Sequence, residues 1–338
     1  NNKDIQKKIN GHTKEDISFL NNVTLNSMRF HLHSSKIINR YIKHKIKDKE
    51  KILLISAITQ IVFLNFKEYA VINCSVEIAK KLKIYHGLIN ATLKNISRDK
   101  EKLKKLDIEF DDLPVWFKNK STSLTDSQKK KFLKNFNKEP SIHIVFKSEQ
   151  KLKIFEETLI RTSTISGFLK DRKNVTEIKS YEQGSWWVQD FSSFFPLQNL
   201  QKINKNEKIL DACAAPGGKS FQLLSRNKRL ILNDKSSNRI EILKSNLNRL
   251  NFNSKILNDD FTRFDEKEKF DLIIIDAPCS AVGTIRKNPE IFFKKKEPNF
   301  KELKIIQKKM LIKASNLLNK NGLILYMVCS FLKNETED

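Results

Sequence analysis

Apolar residues in the first hundred positions recur at the spacing of amphipathic helices. From about residue 16 to residue 97, apolar side chains return every three or four positions. The stretch 52–64 (ILLISAITQIVFL) is apolar nearly all round, as expected for a helix buried among others. Further helices are predicted at 71–82 and 88–96, with Gly87 as the break between them. The pattern predicts an all-helical bundle with its own core.

The middle of the chain loses this periodicity. Between about residues 97 and 139, Lys, Asp and Asn dominate, which predicts a linker with short helices and a domain boundary near residue 125. Beyond it, short strands at 142–146 and 176–178 flank a predicted helix at 150–159. These elements predict a small α+β unit.

From Lys208 onwards, strand-like and helix-like segments alternate. Strands are predicted at 209–210, 230–232, 256–257, 272–275 and 323–328, and amphipathic helices at 237–250 and 301–318. Such alternation is typical of a doubly wound α/β domain. The predicted organisation is therefore a helical domain over 1–125, a small α+β unit over 126–205 and an α/β domain over 206–338.

Four aspartates follow strands of the predicted α/β domain. Asp211, Asp234, Asp260 and Asp276 each terminate a predicted strand or closely follow one. In a parallel sheet the carboxyl ends of the strands share one edge, where ligands bind. Any one of the four is also explained as a helix cap or turn residue. The four together favour a shared ligand crevice.

Charge and composition narrow the class of partner. Lys and Arg number 64 against 39 Asp and Glu, which gives a formal net charge of +25 and a pI near 9.7. This excess favours a polyanionic partner, and nucleic acid over a membrane surface. Apolar stretches are interrupted well before the ~20 residues that a membrane span needs. The four cysteines show no metal-site or disulfide spacing, so we expect no metal and a soluble protein of the reducing cytoplasm.

The loop after the first α/β strand suits a nucleotide-like cofactor. Within residues 211–220 (DACAAPGGKS), Gly217 precedes Asp234 by 17 residues, close to the ~20 expected between a glycine loop and its ribose-binding acid. Asp211 and Asp234 offer acceptors for a ribose diol and a positive charge, two features that S-adenosylmethionine combines. Asp260 is placed to accept from an adenine amino group. We therefore predict S-adenosylmethionine as the cofactor.

A phosphate-binding loop is the competing interpretation of the same residues. Residues 213–220 differ by one position from the GxxxxGK[ST] pattern, and the strand ending at Asp276 resembles the magnesium-binding strand of P-loop NTPases. Against this stand Cys213 in place of the first glycine, Pro216 inside the loop and Asp211 near the phosphate position. A P-loop NTPase stays an alternative.

Two cysteines, Cys279 and Cys329, each close an apolar run at a predicted strand end. Methylating C5 of a cytosine requires a thiolate that adds to C6 and turns C5 into a nucleophilic carbon. The C5 proton must then leave so that elimination restores the thiol, which requires a base or a second helper. The two thiols suit these roles, but their spacing leaves them interchangeable. Cys74 and Cys213 are interpreted as packing residues.

Three motifs resemble those of the RNA (cytosine-5) methyltransferases: residues 211–219 (DACAAPGGK), 276–290 (DAPCSAVGTIRKNPE) and 328–330 (VCS). The whole chain resembles the ribosomal small-subunit methyltransferase B branch, in which a NusB-like helical RNA-binding domain precedes the catalytic domain. Residues 24–94 resemble the NusB-like part, and residues 187–193 (WVQDFSS) resemble the entry to the core. The resemblance implies a Rossmann-like S-adenosylmethionine-dependent methyltransferase domain after an all-α bundle and a small α+β linker unit.

The resemblance also implies residue roles on a cytosine of 16S ribosomal RNA. Cys329 is implied to be the nucleophile and Cys279 to assist release. Asp276 either binds the cofactor or orients the target base. The residues implied to bind S-adenosylmethionine are Cys213, Ala214, Ala215, Pro216, Gly217, Gly218, Lys219, Asp234, Asp260 and Asp276. Lys219 is also a candidate source of the positive charge that lowers a thiol pKa, with a solvated loop lysine as the alternative.

RNA binding sets further expectations. The target cytosine must be single-stranded or flipped before a thiol reaches it. Trp186 or Trp187 is a candidate to stack on it, with a core role as the alternative, and the lysines of 129–131 and 294–296 are candidates for phosphate contacts. Val328 replaces the threonine that the family usually carries, which motivates a second hypothesis of a non-enzymatic RNA-binding assembly factor. We expect a monomer.

Overall fold

A computed structural model of the chain describes residues 13–171, 174–200, 207–264, 268–294 and 296–337. They belong to two compact units. The helical unit comprises Asn1–Glu139, Val282–Pro298 and Phe331–Lys333, and the sheet unit comprises Pro140–Ala281, Asn299–Ser330 and Asn334–Asp338. The predicted boundary between residues 205 and 206 touches residues outside the described ranges.

The elements of the described residues follow the chain in this order. The helices are α1 Lys14–Arg29, α2 His31–Tyr41, α3 Asp48–Ile58, α4 Glu68–Lys81, α5 His86–Arg98, α6 Lys100–Lys104, α7 Val115–Lys120, α8 Asp126–Leu133, α9 Glu149–Lys153, α10 Phe191–Asn199, α11 Gly218–Leu224, α12 Ser237–Arg249, α13 Glu290–Phe293, α14 Phe300–Leu317 and α15 Lys333–Thr336. The strands are β1 His143–Phe146, β2 Leu159–Ser163, β3 Ser166–Leu169, β4 Trp186–Val188, β5 Ile209–Asp211, β6 Leu230–Asn233, β7 Lys255–Leu257, β8 Phe270–Asp276 and β9 Leu318–Met327.

The helical unit is built around α3, as its all-round apolar sequence predicts. This helix continues into a π-helical turn at Thr59–Phe63. Leu54, Ile58 and Ile61 are fully buried in a core that also receives apolar residues from α2, α4 and α5. The position of Gly87 was predicted wrongly, because α4 ends at Lys81 and Gly87 lies within α5. The all-helical bundle is confirmed.

A segment that follows Cys279 in the sequence packs within the helical unit. Phe292 of α13 is buried there, with its ring centroid 4.9 Å from that of Phe117. The Arg286 guanidinium donates to the carbonyl oxygens of Lys138 and Glu139 at 3.1 and 2.8 Å. These contacts were not foreseen, since the sequence gives Val282–Pro298 no pattern that links it to residues some 150 positions earlier.

The small sheet of the sheet unit is antiparallel, with strand order β2-β3-β1-β4. The predicted strand at 176–178 is wrong, because Val175–Glu177 is a 3₁₀ turn. The predicted helix at 150–159 is too long: α9 ends at Lys153, and β2 already begins at Leu159. β2 and β3 were missed because their mixed Arg, Thr, Ser and Gly content carries no clear alternation.

The large sheet is entirely parallel, with strand order β7-β6-β5-β8-β9. Its two faces are covered separately. Leu272 and Ile274 of β8 pack in a cluster with residues of α11 and α12, whereas Ile273 and Ile275 pack in a cluster with residues of α14. Because successive strand residues point to opposite faces, helices cover both sides of the sheet. The predicted doubly wound α/β domain is confirmed.

In the described part of the chain, every helix is too short or too polar to cross a lipid bilayer.

Candidate active site

The four predicted aspartates lie at the carboxyl edge of the large sheet. Asp211 and Asp276 are the last residues of β5 and β8, and Asp234 directly follows β6. Asp260 follows β7 and caps a short 3₁₀ helix, Phe261–Arg263. Since all strands run parallel, their carboxyl ends meet at this edge. The structure therefore places the four residues at one edge of the sheet, as their strand positions predict.

Asp211 anchors the loop that follows β5. Its side chain is buried, with the residue 1% exposed, and accepts hydrogen bonds from Ser220 Oγ at 2.6 Å and Cys213 N at 3.4 Å. Burial raises the pKa of Asp211 to about 6, partly opposed by the hydrogen bond from Ser220 and the charge of Lys219. The buried Asp211 side chain therefore fixes the loop through its hydrogen bonds with Ser220 and Cys213. A contact between Asp211 and a cofactor stays a prediction.

Gly217 is required by the shape of the loop. Its φ of +117° lies in the region that L-residues rarely adopt, and an added Cβ would lie 1.9 Å from Cζ of Phe221. Gly218 differs, because the nearest atom to an added Cβ would be Gln189 Cγ at an ordinary 3.4 Å. The loop thus depends on one glycine for its backbone path and tolerates a side chain at the next position.

Asp234 ties the loop to the second strand of the domain. It is 3% exposed and accepts hydrogen bonds from Ala215 N at 3.1 Å and Ser236 N at 3.0 Å. Arg239 Nη1 lies 3.4 Å from its Oδ2. A carboxylate offers roughly four acceptor positions. These contacts leave acceptor capacity on Asp234.

Asp260 is held as a carboxylate. Lys235 Nζ donates to its Oδ2 at 2.7 Å, and Thr262 donates to its Oδ1 from both N and Oγ1 at 3.0 and 2.7 Å. The hydrogen bond from Lys235 is the largest cause of a pKa lowered to about 2, followed by that from Thr262. Asp260 is therefore an acceptor at any ordinary pH.

Lys219 and Asp276 form an ion pair. Their Nζ and Oδ2 atoms are 2.6 Å apart, and the Lys219 side chain is only 14% exposed. The interpretation of Lys219 as a solvated loop lysine is wrong. The pair connects the start of α11, which bears Lys219, to the end of β8, which precedes Cys279.

Cys279 and Cys329 lie side by side. Their Sγ atoms are 3.2 Å apart, because β8 and β9 are adjacent parallel strands whose ends pair Asp276 with Met327. The predicted adjacency of the two strands is confirmed. The hydrogen bond that the two thiols share lowers the pKa of Cys329, whereas burial and the charge of Asp276 oppose this effect and the charge of Lys219 adds a smaller lowering. The same hydrogen bond, together with burial, raises the pKa of Cys279.

The loop that bears Cys279 is held by contacts that the sequence interpretation missed. Ala277 N donates to the carbonyl oxygen of Met327 at 2.9 Å, and Gln307 Nε2 donates to that of Pro278 at 2.9 Å. Glu335 accepts from Ser280 N at 2.8 Å and from Ser280 Oγ at 2.5 Å. The only available signal in the sequence was an acidic residue six positions after Cys329.

The tryptophans and the two remaining cysteines can be compared with their predicted roles. Trp186 and Trp187 are 0% and 2% exposed, so the prediction that one of them stacks on a base is wrong and the core role is confirmed. Cys213 packs partly buried beside the sheet core, and burial raises its pKa to about 12. Cys74 is exposed on α4, so its interpretation as a packing residue is wrong.

The candidate phosphate-binding lysines are mostly exposed. Lys130, Lys131, Lys294 and Lys296 are exposed, whereas Lys129 is partly buried, 3.5 Å from Asp126 and over the ring of Phe110. Lys295 lies outside the described residues. The exposed four remain available to an anionic partner.

The residues at the sheet edge fit S-adenosylmethionine. A ribose diol and an adenine amino group need acceptors, and Asp234 and Asp260 provide carboxylates with capacity for further hydrogen bonds. The sulfonium is a cation, which suits an edge that carries several carboxylates. Gly217 sets the path of the loop beside these carboxylates, because an added Cβ would overlap the ring of Phe221.

Family models match both ends of the chain. The model described as "16S rRNA methyltransferase RsmB/F" matches residues 198–338. The model of the "NusB family" matches residues 1–98. The two matches fall on the α/β part and on the helical part of the chain.

A curated relative and two solved structures are also similar to the chain, the structures in fold. The "Ribosomal RNA small subunit methyltransferase B" of Shewanella oneidensis is 30% identical over 87% of this chain and 73% of its own length. The crystal structure of PH0851 superposes with a TM-score of 0.72 at 21% identity, covering 98% of this chain and 81% of that one. The structure of NSun6 from Pyrococcus horikoshii with SFG has a TM-score of 0.57 at 18% identity, covering 66% and 83%.

Proposed function

The chain belongs to the ribosomal RNA small subunit methyltransferase B family, and we propose that it methylates C5 of a cytosine in 16S ribosomal RNA through a covalent adduct with Cys329. The family makes it an S-adenosylmethionine-dependent ribosomal RNA methyltransferase. Methylation at C5 and the covalent adduct are more specific than this family assignment. They rest on the two thiols at the ends of β8 and β9.

The 3.2 Å separation of Cys279 Sγ and Cys329 Sγ carries the proposal. C5 of cytosine is a poor nucleophile until a group adds to C6, and a thiolate is well suited to that addition. Methyl transfer to an exocyclic amine or a ribose hydroxyl uses no such addition. Two thiols in contact at the ligand-binding edge of the sheet therefore favour chemistry at a pyrimidine carbon.

Cys329 is the proposed nucleophile. It is the more exposed of the two cysteines, and the hydrogen bond from Cys279 lowers its pKa against the opposing effects of burial and of the charge of Asp276. The thiolate is the reactive form, and a nearby positive charge favours it. The greater exposure of Cys329 and its hydrogen bond with Cys279 support the order that family resemblance assigns to the two cysteines.

Cys279 assists release in a second step. Once Cys329 Sγ is bonded to C6 as a thioether, its hydrogen bond with Cys279 is weakened and its charge is gone, and both of these had raised the pKa of Cys279. Cys279 then loses its proton to solvent and, as a thiolate, takes the proton from C5. The electrons of the C5–H bond restore the C5=C6 double bond, the S–C6 bond breaks, and Cys329 leaves as a thiolate.

The cofactor site is proposed to consist of the loop and the neighbouring carboxylates. When bound, S-adenosylmethionine supplies the electrophilic methyl group. Asp234 is proposed to accept from the ribose diol and Asp260 from the adenine amino group, while the loop 213–219 lies against the cofactor. Asp276, held by Lys219, is proposed to fix the cofactor or the target base.

The alternatives have less support. The lysine expected to bind phosphate in a P-loop NTPase is paired with Asp276, and the chain belongs to a methyltransferase family. Val328 packs against the apolar core of the sheet, where it adds contact in place of a hydroxyl. Addition of the Cys329 sulfur to C6 does not need that hydroxyl. An assembly factor without turnover is the outcome if no methyl transfer occurs.

The proposed function is tested with purified protein, an unmodified 16S ribosomal RNA transcript and methyl-labelled S-adenosylmethionine. We expect label in 5-methylcytidine, identified by nucleoside mass spectrometry and bisulfite sequencing. Cys329→Ser should give no label, whereas Cys74→Ser, on an exposed face of α4, should match the unchanged protein. Label in another nucleoside would contradict the choice of C5. Absence of cofactor binding by calorimetry would favour the assembly factor.

A further inference from the structure

A buried carboxylate, Glu335, connects the two segments that bear the active-site cysteines. Glu335 is 6% exposed and accepts from both N and Oγ of Ser280, the residue after Cys279. The 2.5 Å bond from Ser280 Oγ is within the range of charge-assisted hydrogen bonds. Glu335 itself lies six residues after Cys329. Its two bonds therefore link the segment after β9 to the loop after β8.

The loop after β8 needs such a link to hold a fixed position. Beyond the last strand pairing, the loop is held by the bonds of Ala277 and Pro278 on the strand side of Cys279. The Ser280 bonds to Glu335 act on the other side of it. Ser280 Oγ also lies 3.4 Å from Ser330 Oγ, the hydroxyl next to Cys329. Cys279 is thus fixed from both sides, with Glu335 as the acceptor on one of them.

We propose that Glu335 is a positioning residue that sets the distance between Cys279 and Cys329 by holding Ser280. This inference rests on the proposed function, since it assigns Glu335 a part in release of the covalent adduct. A buried carboxylate without hydrogen-bond donors destabilises the protein. The bonds to Ser280 therefore favour one fixed position of the segment after β9 relative to the loop after β8. Displacements of the order of 1 Å in an active site can cost about 100-fold in rate.

The first test measures the cysteine pair in the free protein. The rate at which iodoacetamide alkylates Cys329 is followed against pH by peptide mass spectrometry in the unchanged protein, Glu335→Ala, Glu335→Gln and Cys279→Ala. Removing a negative charge alone lowers a neighbouring thiol pKa, whereas moving Cys279 away raises that of Cys329. We expect the pH midpoint in Glu335→Ala to rise towards that in Cys279→Ala, and the midpoint in Glu335→Gln to lie between those of the unchanged protein and Glu335→Ala. An unchanged or lowered midpoint overturns the proposal.

The second test measures turnover on the 16S transcript. Glu335→Ala should lower kcat by about 10- to 100-fold, leave KM for S-adenosylmethionine unchanged and lengthen the life of the covalent adduct. Glu337→Gln, an exposed charge change two residues later, is the matched control. An increase in KM with unchanged kcat, or an equal loss of kcat in Glu337→Gln, would contradict a positioning role.

The two tests separate the possible failures. If the unchanged protein transfers no methyl group to cytosine, the proposed function fails, while the alkylation profile still decides the role of Glu335. If Glu335→Ala does not fold by circular dichroism, Glu335→Gln and Ser280→Ala decide instead, because each weakens one of the two hydrogen bonds. Equal alkylation profiles in these two variants and the unchanged protein then overturn the proposal.

Discussion

Cys279 Sγ and Cys329 Sγ lie 3.2 Å apart, although 50 residues separate them in the chain. The parallel pairing of β8 with β9 produces this contact, since both cysteines follow the ends of neighbouring strands. At this distance each thiol controls the protonation of the other. The charge state of the pair, rather than of either cysteine alone, therefore determines which sulfur reacts.

Replacing Cys279 should trap the covalent intermediate. Cys279→Ser keeps a small polar side chain but loses a group able to ionise after Cys329 has reacted. We expect a protein–RNA adduct that survives denaturing gel electrophoresis and disappears after nuclease or protease treatment. The double variant with Cys329→Ser should form no adduct. An adduct that forms equally without Cys329 would assign the nucleophile to another residue.

Removing the charge of Lys219 should raise the pKa of Cys329. Lys219 lowers that pKa, and Asp276, which Lys219 partly neutralises at 2.6 Å, raises it. In Lys219→Met both effects act in the same direction, so the alkylation rate of Cys329 should reach its midpoint at a higher pH. The profile is recorded without cofactor, so that cofactor affinity does not enter. Lys130→Met, at an exposed site, should leave the midpoint in place.

Asp211 should make stability fall as the pH rises. Its folded-state pKa of about 6 lies above the ~3.9 of an unfolded aspartate. The folded protein therefore binds more protons in this window, and the free energy of unfolding decreases with rising pH. Between about pH 5 and pH 7 this amounts to about 1 kcal/mol. The free energy of unfolding is measured in urea at several pH values. Asp211→Asn should not show this decrease between about pH 5 and pH 7, whereas Asp126→Asn, with a side chain 92% exposed, should still show it.

Gly217→Ala should damage the cofactor loop. A side chain at φ +117° is strained, and its Cβ would overlap the ring of Phe221. We expect a loss of about 2 kcal/mol or more in the free energy of unfolding, together with weaker S-adenosylmethionine binding by calorimetry. Gly218→Ala, which meets only ordinary contacts, is the matched control and should unfold like the unchanged protein. Equal stability of the two variants would contradict the strain at Gly217.

Local patterns were sufficient wherever one short segment carried its own signal. The apolar stretch around Leu54 and Ile58 predicts a buried helix because a helix that packs on all sides needs apolar residues on all sides. Strand ends marked by Asp211 and Asp276 were predictable for a similar reason, since β5 and β8 are short apolar runs that end in an acid. Strands with a weak hydrophobic pattern, such as β2 and β3, were not predictable in this way.

Contacts between distant segments were beyond such patterns. Burial of Trp186 and Trp187 depends on helices and strands packed against both faces of a three-residue strand, which the dipeptide itself does not encode. Glu335 gives no sequence signal beyond being an acid near a cysteine, yet it is buried against Ser280, 55 residues away. Such partners are selected by the fold, because their sequence separation exceeds any local period.

The sequence by itself determined that two thiols, four strand-end carboxylates and a glycine loop occur in an α/β domain after a helical bundle. It did so because strand and helix periods are local properties of the chain. Only the tertiary structure decided that the thiols are in contact and that Lys219 is paired with Asp276. Those properties depend on burial and on distances of a few ångströms between charges, which strand pairing creates and sequence spacing does not contain.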